Sequence, residues 1–458
     1  MTTPDRTAGL HAAVHHAQTF LAGLDERPVG SRVAAPDLHP ALGGPLPEHG
    51  QDADAVIDAL AEGADPGLVA SAGPRHFGFV VGGALPAALA ADWLVSAWDQ
   101  SAAFHALSPA GAAIEEITAG WLLELLGLPA TAGVGFVTGG QGANTTCLAA
   151  ARHTVLARAG WDVERDGLIG APRLRVLCGE QAHATIHTAL RLLGLGAATA
   201  QRIPVDAQGR MDPDALAEAL SAGDGPAIVC AQAGNVATGA FDPFDAVADV
   251  CAAHDAWLHV DGAFGLWAAA APSTRHLTDG VHRADSWAVD AHKWLNVPYD
   301  CATAIVRNAE AQRAAMGLSG PYLVKDPGQR DNTDYVPESS RRARAVPVYA
   351  AIRALGRTGI AQLVDRNCAQ ARRMADRLAA IPGADVLNDV VLNQVLVRLP
   401  GGDDANRAAV AAVQQDGTCW LGGTTWRGDY VLRISVSNWA TTDADIDRSA
   451  AAIAAAVR

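Results

Sequence analysis

Four side chains and one glycine turn have the residue types to do chemistry. They are Lys293, Asp261, His183 and His292, with the turn Gly139-Gly140-Gln141-Gly142. The chain has 458 residues and 34 lysines and arginines, yet only Lys293 and Lys325 are lysines. A lysine amine can form an imine with a carbonyl compound and an arginine cannot. Lys293 lies in the largely apolar run Ser286 to Leu295, a poor place for a solvated amine. A bias toward arginine codons would also deplete lysine, so the telling point is that this position was spared. Asp261 closes the apolar run Trp257-Leu258-His259-Val260, where open α/β sheets bind ligands. The glycine turn lies between a strand-like and a helical run, so backbone N–H groups and a helix N-terminus can meet an anion there. Read singly, each feature has a structural alternative. Such a turn is structural more often than ligand-binding. Asp261 reads equally as a helix N-cap. His183 and His292 read as a cap and a satisfied core histidine.

These residues need elements that hold them. Gly133 to Val137, Leu174 to Cys178, Ala227 to Ala231 and Trp257 to Val260 are short apolar runs alternating with helical ones. That pattern predicts a mostly parallel sheet covered on both faces, over a large domain spanning 76–345. Residues 1–75 read as helices around a Pro/Gly-rich stretch, too poor in core to stand alone, and are expected to pack on something else, such as a second subunit. Residues 346–458 read as a small α+β domain. It has a long helix from Tyr349 to Ile381, strand-like runs at Gln394–Leu399 and Tyr430–Val436, and a closing helix from Asp443.

Half the residues are hydrophobic and 18% are charged, which permits a large core. A net charge of −15 argues against nucleic acid as a partner. The N-terminus lacks the basic and apolar blocks of a signal peptide, and no apolar stretch reaches membrane-spanning length without polar interruption. Seven scattered cysteines without a CxxC pair read as reduced thiols of a cytoplasmic protein. No metal is assigned.

Taken together, an amine nucleophile, a strand-end carboxylate, an anion-cradling turn and a histidine able to stack are what pyridoxal 5′-phosphate requires. The amine anchors the cofactor, the carboxylate keeps its pyridine nitrogen protonated, and the turn holds its phosphate.

The order and wording of the motifs resemble the group II pyridoxal-phosphate decarboxylases, which include aromatic L-amino acid, tyrosine and glutamate decarboxylases. The most specific stretch is Asp290-Ala291-His292-Lys293-Trp294-Leu295-Asn296-Val297-Pro298-Tyr299-Asp300-Cys301. It is supported by Leu107-Ser108-Pro109-Ala110 with Glu115, Gln181-Ala182-His183, His259-Val260-Asp261-Gly262-Ala263-Phe264, Ser340-Arg341-Arg342-Ala343-Arg344 and Leu432-Arg433-Ile434-Ser435. The resemblance covers about Pro74 to Asp445. It implies the aspartate aminotransferase-like fold of fold type I enzymes, with a large, mostly parallel seven-stranded sheet domain and a small C-terminal domain. It also implies a homodimer with shared active sites.

By the same resemblance, Lys293 carries the cofactor, Asp261 pairs with the pyridine nitrogen, and His183 stacks on the ring. His292, Gly140 and Gln141 hold the phosphate, Gln141 through its backbone where relatives often have Ser. Asn235 and Ala263 line the site near the ring. Asp290 stands where some relatives have Asn near the phosphate; a carboxylate there would repel it, so Asp290 is not assigned as a ligand. Tyr322, on a polar Gly/Pro-rich loop, matches a tyrosine that crosses to the partner's site and returns a proton to the substrate. Its alternative is a ring anchoring that loop, and Lys325 nearby reads as a solvated charge.

The side-chain pocket matches Phe77-Gly78-Phe79-Val80 and, from the partner, Gln100 to His105, so Phe79, Phe104, His105 and Arg433 are the substrate candidates. Gly78, Ser101 and Ala103 make that lining smaller and more polar than in aromatic-acid decarboxylases. The implied reaction is decarboxylation of an aromatic or other bulky L-amino acid. The alternatives are an aldehyde-forming oxidative variant, another reaction of the same fold such as transamination or β-elimination, and, more remotely, a binding protein without catalysis.

Overall fold

The computed structural model describes residues 5–318, 320–321 and 328–457. Seven strands form the main sheet: β1 (Gly133–Val137), β2 (Arg175–Gly179), β3 (Gln201–Ile203), β4 (Ala227–Gln232), β5 (Trp257–Asp261), β6 (Ser286–Asp290) and β7 (Ala302–Val306). Their spatial order is β1-β7-β6-β5-β4-β2-β3. β7 runs antiparallel to both neighbours and the other pairs are parallel. Side chains alternate between the faces of a strand. Accordingly Val229, Leu258 and Val260 join one apolar cluster, while Ile228, Cys230 and Trp257 join another. Both faces are therefore covered, which is why these strands read as continuous apolar runs. Each fully buried aliphatic side chain of this kind contributes about 1.5–3 kcal/mol.

The second sheet is antiparallel, in the order β10-β11-β9-β8, from β8 (Asp385–Val386), β9 (Gln394–Arg398), β10 (Gly422–Trp426) and β11 (Asp429–Ser435). Sequence patterning identified β9 and β11 but missed β8 and β10, and in the main sheet it placed β1, β2, β4 and β5 but not β3, β6 or the antiparallel β7. The long helix runs from Ala345 to Ala379 and is broken at Gly356, whose φ is 62°. Around it, the buried Arg341 guanidinium meets both Glu115 carboxylate oxygens at 2.8 and 2.6 Å and the Phe136 carbonyl at 3.1 Å. That pair fixes the segment before the long helix against the Pro109–Leu126 helix and β1.

The N-terminal segment is tied to the small sheet domain by Val29 N–H to the Gly417 carbonyl, at 2.9 Å, and by Arg75 to Asp445, at 3.1 Å. The helices Leu10–Ala22, Ala35–Leu42 and Ala53–Ala64 bury almost nothing, with only Gly63 enclosed.

Two buried histidines set a pH limit on this fold. Burial pushes His76 and His259 down to about 4, whereas an unfolded histidine titrates near 6.5. Between those values the unfolded chain binds two more protons at these sites, so stability falls as pH drops. Burial pushes Asp242 up to about 6, so this group works in the opposite sense and offsets about one proton below that pH. These three groups together give a slope of about 1.4 kcal/mol per pH unit; His183 and His292, also lowered by burial, add to it, and Asp285, raised by burial, works against it. Denaturant midpoints should therefore fall between pH values of about 6.5 and about 4. His259→Gln, which cannot take the proton, should flatten that fall, and an unchanged slope would refute the assignment.

Candidate active site

The carboxyl ends of β1, β2, β4, β5 and β6 meet along one edge of the sheet, and the candidate residues follow from them. β1 leads through Gly139 into the Gly140–Arg158 helix, which no side chain caps. The N–H groups of Gly140 and Gln141 are thus free to donate to an anion. The Gln141 side chain folds back to Thr145 Oγ1 at 3.2 Å and the Thr185 carbonyl at 3.3 Å, leaving its backbone as the available contact. His292 stands beside this turn, since a Cβ on Gly139 would lie 3.3 Å from its Cε1. Its Nδ1 accepts the Cys301 N–H at 3.2 Å, which places its proton on Nε2, and burial lowers its affinity for a second.

Lys293 follows β6, and its Nζ lies 2.9 Å from Asp290 Oδ2. Lys293, Asp261, His183, Ala263, Phe79 and Arg433 line one cavity of about 210 Å³, together with Val80, Gln232, Gly234, Val236 and Phe264. Arg433 projects there from β11. Its Nε is buried without a partner, and burial pushes the guanidinium down to about 10. No structural ion pair occupies it among the described residues, so it is available to a ligand carboxylate.

Asp261 is held by a chain of hydrogen bonds whose direction can be assigned throughout. Trp257 Nε1–H donates to Ser286 Oγ at 2.9 Å, and Ser286 lies 2.9 Å from His259 Nδ1. His259 Nε2–H then donates to Asn144 Oδ1 at 2.9 Å. The Asn144 amide gives one hydrogen to Asp261 Oδ2 at 3.1 Å and the other to Thr185 Oγ1 at 3.0 Å. His183 Nδ1 accepts from the Thr185 N–H at 3.3 Å and from its hydroxyl at 2.8 Å. A ring nitrogen that accepts carries no proton, so His183 is the neutral Nε2–H tautomer. Burial, first among its influences, holds it uncharged. It caps the Ala184–Leu192 helix and also lines the cavity.

The structure corrects two expectations about the walls. Asn235 does not line the cavity. Its Oδ1 accepts the N–H groups of Ala237 and Thr238 at 2.9 and 3.2 Å, closing its own turn, while Gly234 and Val236 face the cavity instead. Gly78 does not open the wall either, because a Cβ there would overlap the ring of Trp420. That indole stacks on His76 at 4.9 Å and packs against Phe79 at 5.4 Å with the rings tilted by 32°. Phe79 and Val80 are both left-handed, with φ of 54° and 59°, a costly backbone for such side chains that tends to mark functional walls.

Phe104 and His105 lie outside this cavity, with the His105 N–H bonded to Asp331 at 2.9 Å. Tyr322 and Lys325 fall outside the described residues. Sequence reasoning missed Asn144, Thr185, His259 and Trp420. The first had a weak local signal, an Asn one helical turn before Leu148 on a helix that buries its apolar residues.

The residues fit pyridoxal phosphate: an uncapped helix N-terminus for its phosphate, a buried carboxylate for its pyridine nitrogen, an amine for its aldehyde and a neutral imidazole. Asn144→Ala would leave Asp261 Oδ2 and His259 Nε2–H unpartnered, at a cost of about 1–3 kcal/mol. Equilibrium unfolding of Asn144→Ala should show this loss relative to the wild type, and a variant as stable as the wild type would contradict the network.

The comparisons with known proteins agree. Residues 37–400 match the family model described as the pyridoxal-dependent decarboxylase conserved domain. Tryptophan decarboxylase 1 of Oryza sativa subsp. japonica is 29% identical over 470 residues, covering 96% of this chain and 91% of that protein. The 4-hydroxyphenylacetaldehyde synthase of Rhodiola rosea is 27% identical over 443 residues, covering 93% and 89%. The crystal structure of Oryza sativa TDC with PLP and tryptamine superposes with a TM-score of 0.91 at 28% identity, covering 98% of this chain and 96% of that one. Model match, fold and site thus converge, and the chain belongs to the pyridoxal-dependent decarboxylases, carboxy-lyases that act on amino acids with pyridoxal 5′-phosphate.

Proposed function

We propose that the protein converts an L-amino acid with an aromatic or other bulky uncharged side chain to its amine and carbon dioxide. The observation that carries this reading is the single cavity joining Lys293, Asp261, His183 and an unpaired Arg433. Bound pyridoxal phosphate supplies the electron sink for the pair left when the carboxylate departs.

The chain's own groups do the rest. Lys293, whose Nζ reaches the cavity beside Asp290, would be the residue that anchors the cofactor. Asp261, which accepts from the Asn144 amide at 3.1 Å and from the Ala263 N–H at 3.2 Å, would pair with the pyridine nitrogen and hold its proton there. His183 presents an uncharged ring, so it adds no competing cation. The N–H groups of Gly140 and Gln141, with His292, receive the phosphate. The buried Val80 and Phe264 form the apolar wall that keeps water from the reacting carbon.

The substrate class follows from charge. Lys293 and Arg433 are the only Lys or Arg side chains among the described cavity residues. With Lys293 committed to the cofactor, Arg433 serves the carboxylate that every amino acid carries. A second carboxylate would find no cation, while Phe79, Val236 and Phe264 offer apolar area. Tyr322 is assigned the return of a proton to the product carbon, and Phe104 and His105 are assigned to the partner's cavity.

A homodimer is supported by an apolar surface concentrated in the N-terminal quarter. Leu46, Leu60, Trp93, Leu94 and Trp98 are 92, 56, 41, 47 and 49% exposed. In this arrangement the helices of 1–75 pack on the partner, 76–345 is the cofactor-binding domain and 346–458 the small domain. Seven buried, unpaired cysteines support a cytoplasmic location. Among the described residues no helix is long and apolar enough to cross a membrane.

The second reading, oxidative conversion to an aldehyde, is favoured by the Rhodiola relative; retention of Tyr322 favours simple decarboxylation. The test is product analysis of the cofactor-loaded protein with each proteinogenic amino acid. Amine and carbon dioxide should appear in equal amounts, fastest with aromatic substrates, and activity per chain should fall on dilution as dimers separate. Stoichiometric ammonia and aldehyde would establish the second reading. Turnover of aspartate or glutamate alone would overturn the substrate class.

A further inference from the structure

The Asp290 carboxylate has a charge problem that the mechanism above does not use. Its side chain is buried at the end of β6, and Oδ1 has no hydrogen-bond partner. Oδ2 is paired with Lys293 at 2.9 Å. The other groups facing it from neighbouring elements bring no second cation. His292 Nε2 stands 3.9 Å from Oδ1, beyond hydrogen-bond reach, on a ring that burial keeps neutral. The Tyr299 phenol and Cys301 thiol are neutral, burial and this carboxylate both raising their pKa values. Across the gap lies the start of the Gly140–Arg158 helix, where a Cβ on Gly140 would sit 3.0 Å from Oδ2. Asp290 is thus the floor of the same cradle whose N–H groups fit a phosphate, and a helix N-terminus supplies only roughly half a positive charge.

Covalent attachment turns the Lys293 ammonium, with its three N–H donors, into a nitrogen with at most one. Asp290 then has two acceptor oxygens and no committed donor. A dianionic phosphate offers it only further acceptors. We propose that Asp290 and the cofactor's phosphate share one proton, so that the phosphate is held as a monoanion donating an O–H to Oδ1. The proton comes from water on loading, because a phosphate monoester in solution has lost its second proton above about pH 6. The same carboxylate serves two stages. It neutralises the Lys293 ammonium before loading and accepts the phosphate's proton afterwards. This inference rests on the reading of the cavity as a pyridoxal phosphate site.

The test is ³¹P NMR of the protein loaded with pyridoxal phosphate, from about pH 6 to about pH 9. Free pyridoxal phosphate at the two ends of its own titration provides the references. The wild-type resonance should stay at the monoanion position throughout. In Asp290→Asn, whose amide can donate, it should move to the dianion position. A wild-type resonance at the dianion position, or one that follows the free titration, overturns the proposal even if the variant fails to load. Absence of any protein-bound ³¹P resonance in the wild type overturns the site reading itself, and this inference with it.

Discussion

Two buried carboxylates, Asp290 and Asp261, meet the half-buried Lys293 at one edge of the seven-stranded sheet, and burial of charge is tolerated only where each group finds partners. That requirement accounts for much of the surrounding architecture. Lys293 and Asp290 satisfy each other directly. Asp261 is satisfied through an Asn144 amide that spends both hydrogens and its oxygen on neighbours contributed by β5 and the start of the Ala184–Leu192 helix. Continuous apolar strands place the two carboxylates side by side, and the helix that begins at Gly140 supplies both Asn144 and the anion cradle.

The cavity wall shows a similar coupling between the two sheets. Arg433 and Trp420 come from the small sheet domain, yet one enters the cavity and the other braces Phe79 at its rim. The left-handed backbone at Phe79 and Val80 is retained against its cost because Trp420 and the buried surroundings of Val80 define where these residues must lie. The small domain therefore contributes to the shape and charge of the site as well as to the core.

The readable part of the site was the part whose chemistry dictates residue type. An amine must be a lysine, a partner for a pyridine nitrogen a carboxylate, and a tight anion turn needs glycine, so Lys293, Asp261 and Gly140 stood out in sequence order. The buried strands were legible for a similar reason, since coverage on both faces leaves apolar runs. What failed depends on contacts distant in sequence. The Asn144 bond to His259 spans 115 positions, and nothing local announces it. Gly78 read as empty space because Trp420, which fills it, lies more than 300 residues away along the chain. Asn235 was assigned to the cavity by position in a motif, while a local turn uses its side-chain oxygen. β3 and β8 are too short, and β7 too like its parallel neighbours in composition, for pattern alone to place them.

The scarcity of lysine makes the central claim, that Lys293 carries the cofactor, unusually direct to examine. The loaded protein can be reduced with borohydride, digested and mapped by mass spectrometry, with only Lys293, Lys325 and the N-terminal amine able to retain a pyridoxyl group. The account predicts one modified peptide, bearing the label on Lys293. Label on Lys325, or none on either lysine, would contradict it.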